Sequence, residues 1–177
     1  VTWTVTDIHG NVTTCSFDVV ITDNENPTIT CPADITQTAD AGLCSAAVTI
    51  AAPAVADNCA VATVTNDYNG TADASDVYPV GTTTVVWTVT DIHGNSANCT
   101  MTVIVTDNEQ PVVTCAANIT QTADAGVCEA LVTVPNPAAT DNCAIASIIN
   151  DYNNSSDASN VYPVGTTTVV FTITDIH

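Results

Sequence analysis

A period of 84 residues runs through the chain without insertion or deletion: the string T-D-I-H recurs with its aspartate at Asp7, Asp91 and Asp175. Trp3, Trp87 and Phe171 keep the same interval, as do Tyr68 and Tyr152, Tyr78 and Tyr162, and Gly81 and Gly165. All eight cysteines obey it, Cys15 matching Cys99, Cys31 matching Cys115, Cys44 matching Cys128 and Cys59 matching Cys143. A register this strict implies tandem copies of one folded unit rather than one large domain. A unit of this size holds one small core with little stability to spare, so covalent staples fit it well. The phase assigns residues 1–23 to the C-terminal strands of a preceding repeat, 24–107 to a complete repeat, and 108–177 to a next repeat truncated before its last strand. On that reading the chain is an excerpt of a longer array.

The charge balance narrows the partners. There is no Lys or Arg against 19 Asp and Glu. Nucleic acid is excluded as a partner because no side-chain cation other than three histidines exists to neutralise phosphate, and a basic membrane-surface patch is excluded in the same way. No run of apolar residues is long enough for direct membrane insertion, and no signal peptide is recognisable. Cysteines locked to the repeat argue for an oxidising compartment, hence a secreted or cell-surface location. Their spacings within one unit, 13, 15 and 40 residues, match no zinc-ligand pattern.

Helical periodicity is missing, whereas strict alternation is common in segments rich in Val, Thr and Ile. Val85, Trp87 and Val89 share one face of a strand. After a turn at Asp91 to Asn95, Cys99, Met101, Val103 and Val105 share one face of the next, a hairpin signal. Cys15, Phe17, Val19 and Ile21 repeat that second strand one period earlier. Thr28 to Thr38 reads as a first strand interrupted by Pro32, which marks an edge or a switch between sheets because proline has no N–H to donate. The turn Asp40-Ala41-Gly42 leads into Cys44 to Ile50, and Val61 to Asn66 and Val77 to Val80 follow. About seven strands per unit with frequent turns predict an all-β fold of tandem immunoglobulin-like β-sandwiches.

The motifs carry a family resemblance. T-D-N-E-x-P at Thr22 to Pro27, I-T-C-P at Ile29 to Pro32, D-N-C at Asp57 to Cys59, Y-P-V-G-T-T-T-V at Tyr78 to Val85 and T-D-x-x-G-N at Thr90 to Asn95 together span the unit and recur in the next. With them the unit resembles the hyalin repeat, an immunoglobulin-like module of large extracellular repeat proteins. The family often has Phe at the position of Tyr78 and small residues at those of Ile92 and His93, so nothing carries over for these side chains. The resemblance implies an extracellular, non-enzymatic module for adhesion or spacing.

Strand parity points Cys44 and Cys99 inward and so favours bonds within a domain. The expected pairs are Cys31 with Cys99, Cys44 with Cys59, and Cys128 with Cys143, leaving Cys15 and Cys115 to partners outside the sequence. Spacing alone does not fix connectivity, and a strand would carry Cys44 roughly 25 Å from the loop of Cys59. In the chain-entropy model loops of 68 and 15 residues stabilise by about 4 and about 3 kcal/mol.

In an immunoglobulin-like topology three acidic loops meet at one pole: Asp23-Asn24-Glu25, Asp57-Asn58 and Asp91 to Asn95. Their counterparts are Asp107-Asn108-Glu109, Asp141-Asn142 and Asp175. Calcium takes six to eight such hard oxygens in flexible geometry, and D-N-E-x-P is similar to the calcium linkers of cadherins. The plainer reading is that these short side chains cap turns. The absence of Lys and Arg weighs toward calcium.

His93 beside Asp91 reads as an exposed turn residue before a metal ligand or half of an acid–base pair, and no hydrolase, zinc-protease or phosphate-loop motif occurs. Trp3, Trp87 and Phe171 are the expected core aromatics. Tyr78 and Tyr162, next to Pro, are expected at the domain edge against a neighbour. Asn66 to Asp76 differs between copies and reads as an unconstrained solvated loop. Six N-x-S/T triplets, at Asn11, Asn69, Asn98, Asn118, Asn153 and Asn154, matter only in a glycosylating host.

These readings favour a rigid spacer in an extracellular fibre or adhesin stalk, its partners being neighbouring repeats of the same chain. An adhesive module for a surface glycan or protein, and a filament subunit joining other copies of the fibre through exposed strand edges, are the alternatives.

Overall fold

Pro32 divides the first strand between two sheets. In the computed structural model, which describes every residue from Val1 to His177, β1 (Thr2–Thr6) and β2 (Val12–Ser16) form an antiparallel hairpin. Residues 24–107 then supply β3 (Thr28–Thr30), β4 (Ile35–Thr38), β5 (Ser45–Val48), β6 (Ala54–Ala56), β7 (Val61–Asn66), β8 (Asp76–Pro79), β9 (Gly81–Asp91) and β10 (Ser96–Thr106). Upstream of Pro32, β3 pairs antiparallel with β6; downstream, β4 crosses to the other layer and pairs parallel with β10, Val103 opposite Ile35.

The first layer is therefore the sheet β4-β10-β9-β7, and the second consists of the pairs β3–β6 and β5–β8. The unit is an all-β sandwich, and the alternation read from sequence sets what lies between its layers. Val85, Trp87, Met101, Val103 and Val105 from β9 and β10 meet Ala46, Val48, Ile50, Ala74 and Tyr78 in one core. Trp87 is fully buried, and in the register of the hairpin it stands opposite Cys99. A disulfide joins Cys99 to Cys31, tying the last strand to the chain just past β3.

Residues 108–177 supply β11 (Val112–Thr114), β12 (Glu129–Val132), β13 (Ala138–Thr140), β14 (Ile145–Asn150), β15 (Asn160–Pro163) and β16 (Phe171–Asp175). The pairings β11–β13, β12–β15 and β14–β16 repeat β3–β6, β5–β8 and β7–β9. The positions that would match β10 lie past His177. Phe171 is accordingly half-buried, on a cleft of about 360 Å³ shared with Val132, Val134 and Tyr162. Trp3 departs further from the expected core position: it is 62% exposed, because no second layer covers the β1–β2 hairpin.

Tyr78 is not at the domain edge. It is fully buried, stacks on Tyr68 with ring centroids 4.2 Å apart, and its hydroxyl donates to the Ala74 carbonyl at 2.7 Å. Burial and the nearby negative charge of the acidic loop push its ionisation up to about 12. The stretch from Asn66 to Asp76 is likewise no free loop. Buried Asn66 accepts the amides of Tyr68 and Asn69 on its Oδ1 and donates from Nδ2 to Asn69 Oδ1 and the Thr71 carbonyl. Asn150 repeats the arrangement with Tyr152, Asn153 and Ser155. The residues that drift between the copies sit on a framework that does not.

Candidate cation site and interdomain junction

The loops before β3, before β7 and after β9 meet at one pole of the sandwich. Carboxylate oxygens of Asp23, Asp57 and Asp91 come together there, all within 4.8 Å of one another. Each acid first serves its own turn. Asp23 Oδ1 accepts the Glu25 amide at 3.1 Å and Asn58 Nδ2 at 3.4 Å. Asp57 Oδ2 accepts the amides of Cys59 and Ala60 at 2.9 and 2.8 Å. Asp91 Oδ1 accepts the amides of His93 and Asn95, both at 2.8 Å, and its Oδ2 accepts Asn95 Nδ2 at 2.7 Å. Asn95 also reaches the Asp23 carbonyl at 3.3 Å, tying two of the three loops together.

Turn capping does not use up the site. Asp23 Oδ2 and Asp57 Oδ1 are buried without a hydrogen-bond partner. A buried carboxylate oxygen left this way costs on the order of 1–3 kcal/mol or more. His93 Nδ1 lies 3.3 Å from Asp23 Oδ2, within ion-pair range but not aligned as a hydrogen bond. Asp23 and Asp91 are nonetheless tuned to stay ionised. The Glu25 amide, ahead of the opposing effect of burial, holds Asp23 below the usual carboxylate range. Burial pushes Asp91 up, but the bonds from Asn95, His93 and Gly94 outweigh it and leave it lowered. The Cys59 thiol is raised, first by the Asp23 carboxylate beside it, then by partial desolvation and the charges of Asp23, Asp57 and Asp91. Asn24 and Glu25 themselves are exposed beside this trio.

The equivalent pole of 108–177 faces the preceding repeat and repeats the turn bonds, but the close approach of three carboxylates seen among Asp23, Asp57 and Asp91 does not recur among Asp107, Asp141 and Asp175. Asp107 Oδ1 accepts the Glu109 amide at 3.0 Å and Asn142 Nδ2 at 3.1 Å, and these two bonds, in that order, lower its ionisation. Asp141 Oδ1 accepts the amides of Cys143 and Ala144, and Asp175 Oδ1 accepts that of His177. Asp107 Oδ2, Asp141 Oδ2 and Asn142 Oδ1 are buried without partners, as at the first pole. Asn108 is exposed.

Here the structure corrects the expected sulfur pairing. Cys44 bonds to Cys143 of the following repeat, not to Cys59, and the proposed Cys128–Cys143 pair falls with it. Cys59 and Cys128 are free and exposed, as are Cys15 and Cys115. Inward parity does not apply to Cys44 because β5 begins only at Ser45. Cys44 belongs to the turn opened by Asp40, in which the Leu43 amide donates to the Asp40 carbonyl and the Asp40 amide to the Ser45 carbonyl. Gly42, at a φ of +73°, lets that turn double back and present its edge to the neighbour. Two hydrogen bonds flank the disulfide: the Gly42 amide donates to Glu109 Oε1 at 2.8 Å and Asn142 Nδ2 donates to the Leu43 carbonyl at 3.0 Å. The roles of Gly42, Leu43 and Glu109 at this junction escaped the sequence reading. Strict recurrence of Asp40-Ala41-Gly42 as Asp124-Ala125-Gly126 was the available signal.

The model of the HYR domain matches residues 22–105 and again 106–177. The chain belongs to the HYR domain family. Two proteins called hyalin, from Strongylocentrotus purpuratus and Lytechinus variegatus, are each 34% identical to it over 99% of its length. The chain spans 15% of the first and 33% of the second. Among solved structures, extracellular cadherin domains 1–4 of protocadherin gamma B7 are similar over 99% of this chain and 56% of theirs. That likeness, a TM-score of 0.39 at 13% identity, is too loose to bear on function. HYR membership agrees with the motifs at Thr22 to Pro27 and Tyr78 to Val85 that first suggested it, and each matched segment contains one acidic pole.

Proposed function

We propose that the chain is a stiff spacer segment of an extracellular fibre or adhesin stalk, structural rather than catalytic, in which calcium occupies the acidic pole of each repeat. The observation that carries this reading is the meeting of Asp23, Asp57 and Asp91 with two buried, unpartnered carboxylate oxygens. Three carboxylates at this distance, in a chain without Lys or Arg, repel one another unless a hard cation neutralises them. Asp23 Oδ2, Asp57 Oδ1 and the Asp91 carboxylate would hold the ion. Carbonyls and water would complete the six to eight oxygens that calcium takes. The bound ion would join three loops at the pole facing the preceding repeat and so restrict bending there. An oxidising, extracellular setting fits the two disulfides.

Calcium titration by calorimetry tests the assignment. The chain should bind calcium, and Asp57→Asn should weaken binding at least tenfold by removing one charged ligand while retaining a carbonyl that can cap the turn. Equal affinity in the two proteins, or no binding to either, would remove calcium from the account.

A further inference from the structure

The Cys44–Cys143 junction has two halves, and each half recurs elsewhere in the chain in its assembled form. The donor half is the turn of Gly42, Leu43 and Cys44; its copy is Gly126, Val127 and Cys128. In both, the residue after glycine donates its amide back to the aspartate carbonyl, Leu43 to Asp40 at 2.9 Å and Val127 to Asp124 at 3.2 Å. In both, that aspartate's Oδ2 accepts an amide of the following strand, Ala47 at 2.9 Å and Leu131 at 3.1 Å. Gly126, at a φ of +84°, matches Gly42. The receiving half is Glu109, Asn142 and Cys143; its copy is Glu25, Asn58 and Cys59. Asn58 is held by Asp23 as Asn142 is held by Asp107. The exposed thiols of Cys59 and Cys128 therefore sit in two preformed half-junctions, one of each kind.

We infer that Cys59 and Cys128 each close a head-to-tail junction with a further copy of this repeat, Cys59 taking the Cys44-type cysteine of the unit before and Cys128 the Cys59-type cysteine of the unit after. The contact is heterologous and does not close on itself, so it propagates along an array. Each bond forms when two thiols lose two protons and two electrons to the disulfide of a thiol oxidoreductase, which leaves as a dithiol.

This connectivity has a mechanical consequence. Successive disulfide loops would overlap, since a loop starting at Cys128 begins before the loop from Cys44 ends at Cys143. The shortest covalent path along the array runs from Cys128 to Cys143, crosses a disulfide, and repeats. Only 15 of every 84 residues lie on it. Fully unfolded with its disulfides intact, a unit would extend to about 50 Å, against about 290 Å for the same residues unlinked. The eleven-residue strands β9 and β10 already span about 37 Å when folded, so such an array is close to inextensible. Local pairs of the Cys44–Cys59 kind would leave most of the unit free to pay out. The inference extends the stalk reading, but its test reads sulfur connectivity where that one reads calcium binding, so the two fail separately.

Non-reducing peptide mapping of the native array decides it. Trypsin has no site in this segment, but cleavage before aspartate places each of the eight cysteines on its own peptide, opened by Asp7, Asp23, Asp40, Asp57, Asp91, Asp107, Asp124 or Asp141. The Cys128 peptide should be found joined to a D-N-C peptide of the following unit, and the Cys59 peptide to a D-A-G-x-C peptide of the preceding one. Single molecules of the array pulled without reductant should lengthen by about 10–15 Å per unfolding unit, and by roughly 250 Å after reduction. Peptides joining Cys44 to Cys59 or Cys128 to Cys143, free thiols at Cys59 and Cys128 in the native array, or long extension steps before reduction would each overturn the inference.

Discussion

Repeat 24–107 and repeat 108–177 follow one sequence pattern, and one element separates them. The first contains β10; residues 108–177 stop short of the matching positions. With β10 present, β4 forms, since its hydrogen-bonding neighbour in the sheet is β10; the corresponding residues 119–122 are not a strand. With β10 present, Met101, Val103 and Val105 complete the core, Trp87 is sealed, and Cys31 has its partner. In 108–177 Phe171 stays half-buried and Cys115 free. The turn framework around Asn150 and the tyrosine stack of Tyr152 on Tyr162 are unaffected. The contrast separates what the unit assembles locally, its polar turns and short pairs, from what needs the final strand, namely the closed hydrophobic core.

That contrast can be tested with substitutions at matched positions. Trp87→Ala should destabilise its repeat by about 3–5 kcal/mol, the usual cost of removing a sealed aromatic. Phe171→Ala, on a half-open cleft, should cost under about 1.5 kcal/mol, and urea denaturation followed by hydrogen exchange in the two segments reads both. Equal costs would mean that 108–177 closes its core by another route. Cys31→Ser combined with Cys99→Ser should lower the stability of 24–107 by about 4 kcal/mol in the chain-entropy model, whereas Cys115→Ser should change 108–177 by less than about 0.5 kcal/mol. The buried asparagines should not discriminate: Asn66→Ala and Asn150→Ala should each cost about 1–3 kcal/mol by leaving amides of the turn without acceptors. A clear difference between these two would show that the loop framework also depends on β10.

The smallest effect concerns pH and should be shared by both poles. Asp23, Asp91 and Asp107 are held below the usual carboxylate range in the folded chain by the hydrogen bonds they accept. Carboxylates of this kind contribute stability that is present above their unfolded values and is lost as pH falls through the folded ones. In chelator, the melting temperature should therefore hold down to about pH 5 and decline below about pH 4. A rise on acidification would show that repulsion among the acids outweighs their hydrogen bonds.

How much of this was legible beforehand follows from what a repeat can encode. The period, the sandwich and the inward faces of β9 and β10 follow from spacing and alternation, because side-chain direction in a strand is fixed by parity. The convergence of Asp23, Asp57 and Asp91 was legible from topology, since the loops they occupy share one end of an immunoglobulin-like sandwich. The partner of Cys44 was not. Translation by one period leaves both Cys44–Cys59 and Cys44–Cys143 equally consistent with the sequence, and parity misleads because Cys44 precedes its strand. Burial of Tyr78 was hidden for a related reason: the adjacent Pro79 suggests an edge, while stacking on Tyr68 is a contact between residues ten apart that no local pattern records. Nor does composition distinguish Asn66, a buried scaffold, from the solvated asparagines around it.

Thermal unfolding of the intact, oxidised chain in calcium and in excess EDTA tests most directly whether a cation locks the pole formed by Asp23, Asp57 and Asp91. The account predicts a lower melting temperature in EDTA, restored by added calcium and absent in Asp57→Asn. Superimposable curves in the two buffers would contradict it.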